Sequence, residues 1–314
     1  MAYRGWFLGK KQQPQPSASP SGQVISTLPE YWDWVAEHSF HLRQSQPAVT
    51  DIYYRKLVIT LISQLGSGGW RRILKLDAYN EATQTQYGFQ FIKNAADLVL
   101  VDISYGIAKR ASQKASSKRL SSNVHIVVAD FRRIPLRSAS IDMSCSFGSI
   151  EHVSEYCEAF YEQARVVRDG GEVFVGVPNL LNFSLRALST KILYMLGFMQ
   201  QMTNPEKHFL KPQLRSLAKS LKLSNIVLSG YHLFPKQLRW LDLWMGSRRR
   251  DTLRRSRLFL WLLKVFTLLE LRYPFTRNFA EMIIVKGVRE WGHRVLLIWR
   301  TVARLLWLVV QGLL

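Results

Sequence analysis

Two apolar runs that each end in an acid, Leu98-Val-Leu-Val-Asp102 and Val124-His-Ile-Val-Val-Ala-Asp130, constrain the fold of this chain more than any other feature. A short continuous apolar run closed by turn residues is the pattern of a strand buried on both faces, as in a parallel sheet covered by helices. In open sheets of that kind, ligands bind beyond the carboxyl ends of the strands. Asp102, with Ile103 after it, is therefore expected to accept hydrogen bonds from ribose hydroxyls. Asp130 is expected to accept from an adenine amino group while the ring of Phe131 covers the base. Plain strand termination also suits both acids, because Asp is common in turns and at helix N-caps.

The order of elements favours the sheet. Arg72–Asp77 reads as a first strand, and residues 105–119 as a helix with Ile107, Ala108, Ala111 and Ala115 on one side. Residues 141–147 read as a fourth strand, Tyr156–Val167 as a helix, and Gly170–Pro178 as a tight turn leading into a fifth strand. Strands alternating with helices predict a parallel sheet.

These residues resemble the class I S-adenosylmethionine-dependent methyltransferases, in particular the small-molecule, quinone-methyltransferase-like branch. Val101-Asp102-Ile-Ser is similar to the family's ribose-binding segment and Ala129-Asp130-Phe131 to its adenine-binding segment. Ile134–Asp142 resembles its approach to the fourth strand, Ser149-Ile-Glu-His152-Val the segment after that strand, and Arg168-Asp-Gly-Gly171 its Pro-Gly-Gly turn. The resemblance covers residues 55–180 well and 206–288 in outline. It implies an α/β fold, a doubly wound, seven-stranded, mostly parallel Rossmann-like sheet, with Ser224–Tyr231 as sixth strand and Asn278–Val288 as the last. It also implies an enzyme that uses S-adenosyl-L-methionine, bound by Asp77, Ala78, Tyr79, Asp102, Ile103, Asp130, Phe131 and Phe147.

One departure stands against the matches. The family's first loop is glycine-rich, which lets backbone amides approach the cofactor, whereas Asp77-Ala-Tyr-Asn-Glu81-Ala contains no glycine. A Lys-x-Asp-x-x-x-Glu-Ala pattern resembles a divergent branch. Asp77 and Glu81 suit either the methionine amino group or capping of the next helix. Methyl transfer to oxygen is an in-line displacement aided by a base. His152, after the fourth strand, and His208, in the loop before a later helix, are the candidate catalytic residues, and a structural role suits either as well.

Composition places the domain in a setting. The 314 residues, 47% of them hydrophobic, suffice for one such domain with additions. Cys145 and Cys157 make neither a disulfide framework nor a metal-ligand pattern, so no metal is expected and reducing cytosol fits. The N-terminus has too short an apolar run for a signal peptide, and residues 11–23 read as a Pro-, Gln- and Ser-rich linker. The expected organisation is a weakly ordered segment 1–26, a core over 27–232, a polybasic amphipathic insertion over 233–277, a final strand over 278–288 and a basic amphipathic helix over 289–314.

The net charge of +21 is unevenly placed: residues 231–314 hold 16 Lys and Arg against 5 Asp and Glu, and six of the ten tryptophans. Basic charge alone suits nucleic acid. Interleaved with Trp and aliphatic runs it suits an anionic membrane surface better, so nucleic acid is the disfavoured partner. Six arginines between 248 and 257 precede a fourteen-residue, largely apolar run too short to span a bilayer. On a helix, Lys286, Arg289, His293, Arg300, Arg304 and Gln311 share an arc of about 60°, the stripe of an in-plane interfacial helix. Packing on the domain's own surface is the plainer reading, and spanning would put Arg300 and Arg304 in hydrocarbon. By the family's topology the insertion borders the substrate entrance. The expectation is a cytoplasmic, peripherally membrane-associated methyltransferase acting on a hydrophobic or lipid-linked small molecule. A methyltransferase-like scaffold without turnover is the alternative. A nicotinamide oxidoreductase lacks its Gly-x-Gly-x-x-Gly fingerprint in the first turn. Nothing in the sequence specifies the oligomeric state.

Overall fold

The Val-, Ile- and Leu-rich runs form seven strands: β1 (Arg72–Leu76), β2 (Asp97–Asp102), β3 (Val124–Val128), β4 (Ile141–Phe147), β5 (Val167–Pro178), β6 (Leu223–Tyr231) and β7 (Met282–Arg289). They make one sheet in the order β3-β2-β1-β4-β5-β7-β6. β1 to β5 pair in parallel, and β7 lies antiparallel between β5 and β6. Strand order reverses between β1 and β4, which opens a crevice at the carboxyl ends of those strands. This computed structural model describes residues 17–18, 24–25, 27–39, 41–94, 97–195, 206–248 and 257–290.

Helices cover both faces because both faces of the sheet are apolar. On one side α2 (Val49–Leu65) and α4 (Tyr105–Ser117) bury Val58, Ile62, Ile107, Ala111 and Ala115 against Ile73, Leu98, Leu100 and Cys145. On the other, α5 (Tyr156–Val166) and α7 (Lys211–Ser220) bury Ala159, Phe160, Ala164, Leu214 and Ala218 against Leu74, Leu76, Val101, Val173 and Val175. The side of α4 expected to be apolar, Ile107, Ala108, Ala111 and Ala115, is buried throughout.

Three more elements shape the ligand edge. α1 (Leu28–His38) starts with a Thr27–Glu30 capping box, and its Asp33 accepts the Gly106 amide at 2.9 Å and the Ser104 hydroxyl. That contact staples α1 across the start of α4. The four-residue α3 (Tyr79–Ala82) follows β1. α6 (Arg186–Met195) follows β5, while α8 (Lys236–Arg248) and α9 (Arg257–Arg272) lie between β6 and β7. Phe234, Phe259 and Leu263 form a third core there, against Val49 and Tyr53 of α2.

Two expectations are corrected. The last strand begins at Met282 rather than Asn278, because Pro274–Phe279 forms a 3-10 turn whose proline cannot donate to a ladder. Lys286 and Arg289, expected on a C-terminal helical stripe, belong to β7. There Lys286 meets Glu172 at 2.8 Å and Arg289 donates to the carbonyls of Arg165 and Val167. The arginines at 249–256, the helix expected over 291–314 and most of the N-terminal segment 1–26 lie outside the described residues. Among the described residues no helix is long and apolar enough to cross a membrane.

Candidate active site

A cavity of about 290 Å³ opens where the strand order reverses. Its floor is made by residues after the strands: Asp77 after β1, Asp102 and Ile103 at the end of β2, Asp130 and Phe131 after β3, and Gly148, Ser149 and His152 after β4. Its roof is helical. α1 supplies Trp32, Trp34 and His38, the segment before α2 supplies His41, and α8 supplies Trp240 and Leu243. Among the described residues no group of His, Cys, Asp and Glu could hold a metal ion.

The glycine-free loop makes its tight turn through Asp77, whose φ of 60° is left-handed. Asp tolerates this conformation better than most residues with a β-carbon, though a strained backbone still costs about 1–3 kcal/mol. The turn is pinned from several directions. Lys75, fully buried in β1, reaches the Asp77 carboxylate at 2.9 Å, the Asp77 carbonyl at 2.8 Å and Glu81 at 3.0 Å. Burial disfavours the Lys75 ammonium, but Asp77 and Glu81 outweigh it and hold its pKa above the usual range. The second Asp77 oxygen accepts the Ser149 hydroxyl, which ties the loop to the end of β4. Glu81 accepts the Gly88 amide at 2.9 Å and is buried away from the cavity. Its place is beneath the loop rather than at a ligand.

Asp102 is 4% exposed, and one edge of it reaches the cavity. One oxygen accepts the Ala78 amide at 2.7 Å and the other the Ser104 amide at 2.8 Å. Burial pushes its pKa up to about 7, against those two amides, which favour the charge. A carboxylate offers about four acceptor positions, so Asp102 retains capacity toward a ligand. Asp130 is more committed: Arg132 donates to it through the backbone amide at 2.8 Å and through a guanidinium fork at 2.6–3.0 Å. Burial is the largest single influence on Asp130 and raises it, but the Arg132 hydrogen bonds and charge together outweigh it and hold its pKa below the usual value. Phe131 stands beside it on the wall. An acid after β2, an aromatic ring after β3 and a pinned turn after β1 fit a nucleoside.

The cavity wall is also aromatic and carries three imidazoles, His38, His41 and His152. His152 meets the Trp32 ring edge-on at 5.4 Å. Burial lowers its pKa, so it is neutral at pH 7 and able to take a proton. His41 is buried, and its Nε2 lies 3.1 Å from the Asp51 carboxylate. Burial disfavours the Asp51 charge, yet His41 and Arg239 outweigh it and keep the carboxyl well below its usual range. Glu206 reaches the cavity while paired with Arg186 at 2.6 Å and Lys236 at 2.7 Å. Glu151, next to His152, sits inside this charged cluster, and burial together with Glu206 pushes it up to about 8.

Of the residues expected from the sequence, Asp77, Tyr79, Asp102, Ile103, Asp130, Phe131 and His152 meet in the cavity. Ala78 is buried beneath it, contributing the amide held by Asp102. The Phe147 ring packs at 5.8 Å from Tyr87 and 5.9 Å from Tyr231, in the core beside the cavity. Gly148 takes the wall position in its place, with a φ of 84°. His208 lies outside the cavity lining, half-buried before α7. The sequence reading missed the α1 aromatics, Glu206 and the His41–Asp51 pair. The spacing of Trp32, Val35 and His38 along α1 was the only local signal for any of them.

Comparison with known proteins bears on the family and the fold. A family model described as a methyltransferase domain matches residues 83–175. A probable S-adenosylmethionine-dependent methyltransferase of Mycobacterium tuberculosis is 36% identical over 61 residues, 19% of this chain and 22% of that protein. One from Mycolicibacterium smegmatis is 33% identical over 98 residues, 31% of this chain and 36% of that protein. The chain thus spans about a third or less of the curated relatives it matches. Among solved structures, phosphoethanolamine N-methyltransferase 2 of Haemonchus contortus, with phosphomonomethylethanolamine and S-adenosylhomocysteine, superposes with a TM-score of 0.56 at 12% identity, covering 85% of this chain and 61% of that one. A putative methyltransferase of Haloferax volcanii, in complex with its Trm112 activator, gives 0.54 at 12% identity, covering 85% and 99%. At such identities these structures share a fold.

Proposed function

The chain belongs to the class I S-adenosylmethionine-dependent methyltransferases, and on that premise we propose that it methylates a hydrophobic or lipid-linked small molecule at a membrane surface. The observation that carries the reading is the make-up of the cavity wall: acids and Phe131 from the strand ends together with apolar aromatic side chains and three imidazoles. S-adenosylmethionine, when bound, supplies an electrophilic methyl group. Asp102 accepts from its ribose hydroxyls, Phe131 covers its adenine, and Asp77 and Tyr79 border its amino-acid portion. Asp130 acts at the adenine through whatever acceptor capacity its Arg132 fork leaves free.

The acceptor occupies the end lined by Trp32, Trp34, Trp240 and Leu243. Its hydroxyl oxygen would accept the methyl group, and the electron pair of the carbon–sulfur bond would remain with the departing sulfur. The hydroxyl proton passes to His152, whose neutral imidazole suits that role. The apolar wall suits a quinone-like ring or a glycolipid hydroxyl. α8, which lines the cavity, runs directly into the arginine-rich sequence at 248–257, and that continuity supports a membrane source for the acceptor.

The test is to incubate the full chain with methyl-labelled S-adenosylmethionine and anionic vesicles carrying a bacterial lipid extract, then count the organic phase. Label should enter it, and His152→Ala should lower the rate by about 10² with little change in cofactor affinity. Cofactor binding without any transfer would favour the scaffold alternative. A His41→Ala variant slower than His152→Ala would move the base to the His41–Asp51 pair.

A further inference from the structure

We propose that α6 and α9 form the lipid-docking face of the molecule, resting on anionic phospholipid with their outward apolar stripes; this deepens the membrane-surface reading above. α9 carries apolar residues on opposite sides, yet only one of those sides is covered. Phe259, Leu263 and Glu270 are buried. At 100° per residue, Leu260, Trp261, Lys264, Leu268, Leu271 and Arg272 occupy an arc of about 120° on the opposite side. All six are exposed, with Trp261 at 59% and Leu268 at 64%. A helix that buries one apolar side and leaves another open marks an interaction face.

α6 repeats the pattern. Leu188, Ile192 and Met195 stand at i, i+4 and i+7, within an arc of about 60°, and Met195 is 75% exposed. The two stripes belong to one region of the molecule. Phe183, just before α6, stacks on Phe266 of α9 at 5.8 Å, and its amide donates to the Phe279 carbonyl at 3.0 Å. Both helices attach at the carboxyl edge of the sheet, where the cavity opens: α6 follows β5, and α9 leads into the start of β7.

Charge selects lipid over other occupants. Neither helix exposes a carboxylate, since α6 has none and Glu270, the one acid of α9, is buried. Lys264 stands inside the apolar arc and Arg272 at its border, while the six arginines of 248–257 lie in the sequence joining α8 to α9. A Trp-bearing apolar face framed by cations matches an anionic interface, where indole and guanidinium groups settle at the headgroups.

Vesicle sedimentation of the full chain tests the assignment, with phosphatidylcholine vesicles compared with phosphatidylcholine–phosphatidylserine vesicles. The parent should bind the anionic vesicles at least about tenfold more tightly, and raised salt should weaken that binding. Leu268→Glu with Leu271→Glu, and separately Leu188→Glu with Ile192→Glu, should each lower anionic binding about tenfold or more. Their melting temperature and S-adenosylmethionine titration should match the parent, because these side chains touch neither core nor cavity. Trp261→Ala gives a milder variant and should lose binding in the same direction. Parent-like vesicle binding by both double variants would overturn the proposal. So would loss of binding only on truncation after Glu290, which would put the anchor in 291–314. Self-association in the absence of vesicles, broken by the same substitutions, would overturn it in favour of a face between copies. These outcomes are independent of catalysis: failure of methyl transfer with vesicle binding intact retires the enzymatic reading and leaves the docking face standing.

Discussion

The pH dependence of nucleoside binding follows from where Asp102 sits. Ribose hydroxyls donate to a carboxylate, so the ionised form of Asp102 is the binding form. Burial holds its pKa at about 7 in the free protein. Below pH 7, each unit of acidity then costs about 1.4 kcal/mol of binding energy, until the group is protonated in the complex as well. Between pH 8 and pH 6 the affinity should fall about tenfold, with roughly half a proton released per nucleoside bound at pH 7. 5′-Methylthioadenosine is the suitable probe, since it lacks the amino group of S-adenosylmethionine, which titrates in the same window. Calorimetry in two buffers of different ionisation enthalpy reads both the affinity and the proton release. Asp102→Asn keeps the shape but sets an amide NH2 against one of the two backbone amides now held at 2.7 and 2.8 Å. It should bind about 1–3 kcal/mol more weakly at pH 8 and show a flat profile. A parent profile that is flat from pH 6 to pH 8, or a variant that titrates like the parent, would refute the reasoning. The same shift predicts the stability of the free protein. Because the folded-state pKa is raised, the contribution of Asp102 is complete below its ordinary value near pH 4 and is lost as pH rises through 7.

Three further outcomes follow from the buried groups. Lys75→Met leaves Asp77 and Glu81 without the cation between them and should destabilise the fold by about 3–5 kcal/mol in urea titrations. Equal midpoints would show that the triad contributes nothing. Glu151, raised to about 8, penalises the fold as pH climbs through that value; Glu151→Gln should therefore raise the melting temperature more at pH 9 than at pH 5, and a pH-independent difference would contradict the cause given. Gly230→Ala drives a β-carbon into the Arg277 carbonyl oxygen, so the 274–279 turn must move. A loss above about 1–3 kcal/mol is expected, measured by the same titration.

The sheet was legible because its strands are continuous Val, Ile and Leu runs stopped by Asp or Gly, and strand ends in such a sheet mark the ligand edge. That rule put Asp102 and Asp130 at the ligand edge, and the family resemblance after the fourth strand put His152 there. The rule is silent about side. β4 is buried on both faces throughout, so alternation could not tell that Phe147 turns toward Tyr87 and away from the cavity. It is equally silent about contacts made across sequence. His41 and Asp51 are brought together by the turn before α2. Glu206 is seated by Arg186 and Lys236, which lie on separate elements of the sequence. Lys75 gave a signal, as a charged residue inside an apolar strand, whose meaning rests on the Asp77 turn folding back over it. Helical periodicity placed Lys286 and Arg289 on one stripe with later residues. β-pairing with β5 and β6 overrode it, since the apolar Met-Ile-Ile-Val run before them had a ladder to join.

A crystal structure with S-adenosylhomocysteine tests the central claim most directly. The account predicts the nucleoside in the cavity between β1 and β4, with ribose hydroxyls about 2.5–3.0 Å from Asp102, adenine against Phe131, and sulfur facing His152 and the aromatic end. A nucleoside bound elsewhere, or a cavity that stays empty at saturating ligand, would contradict it.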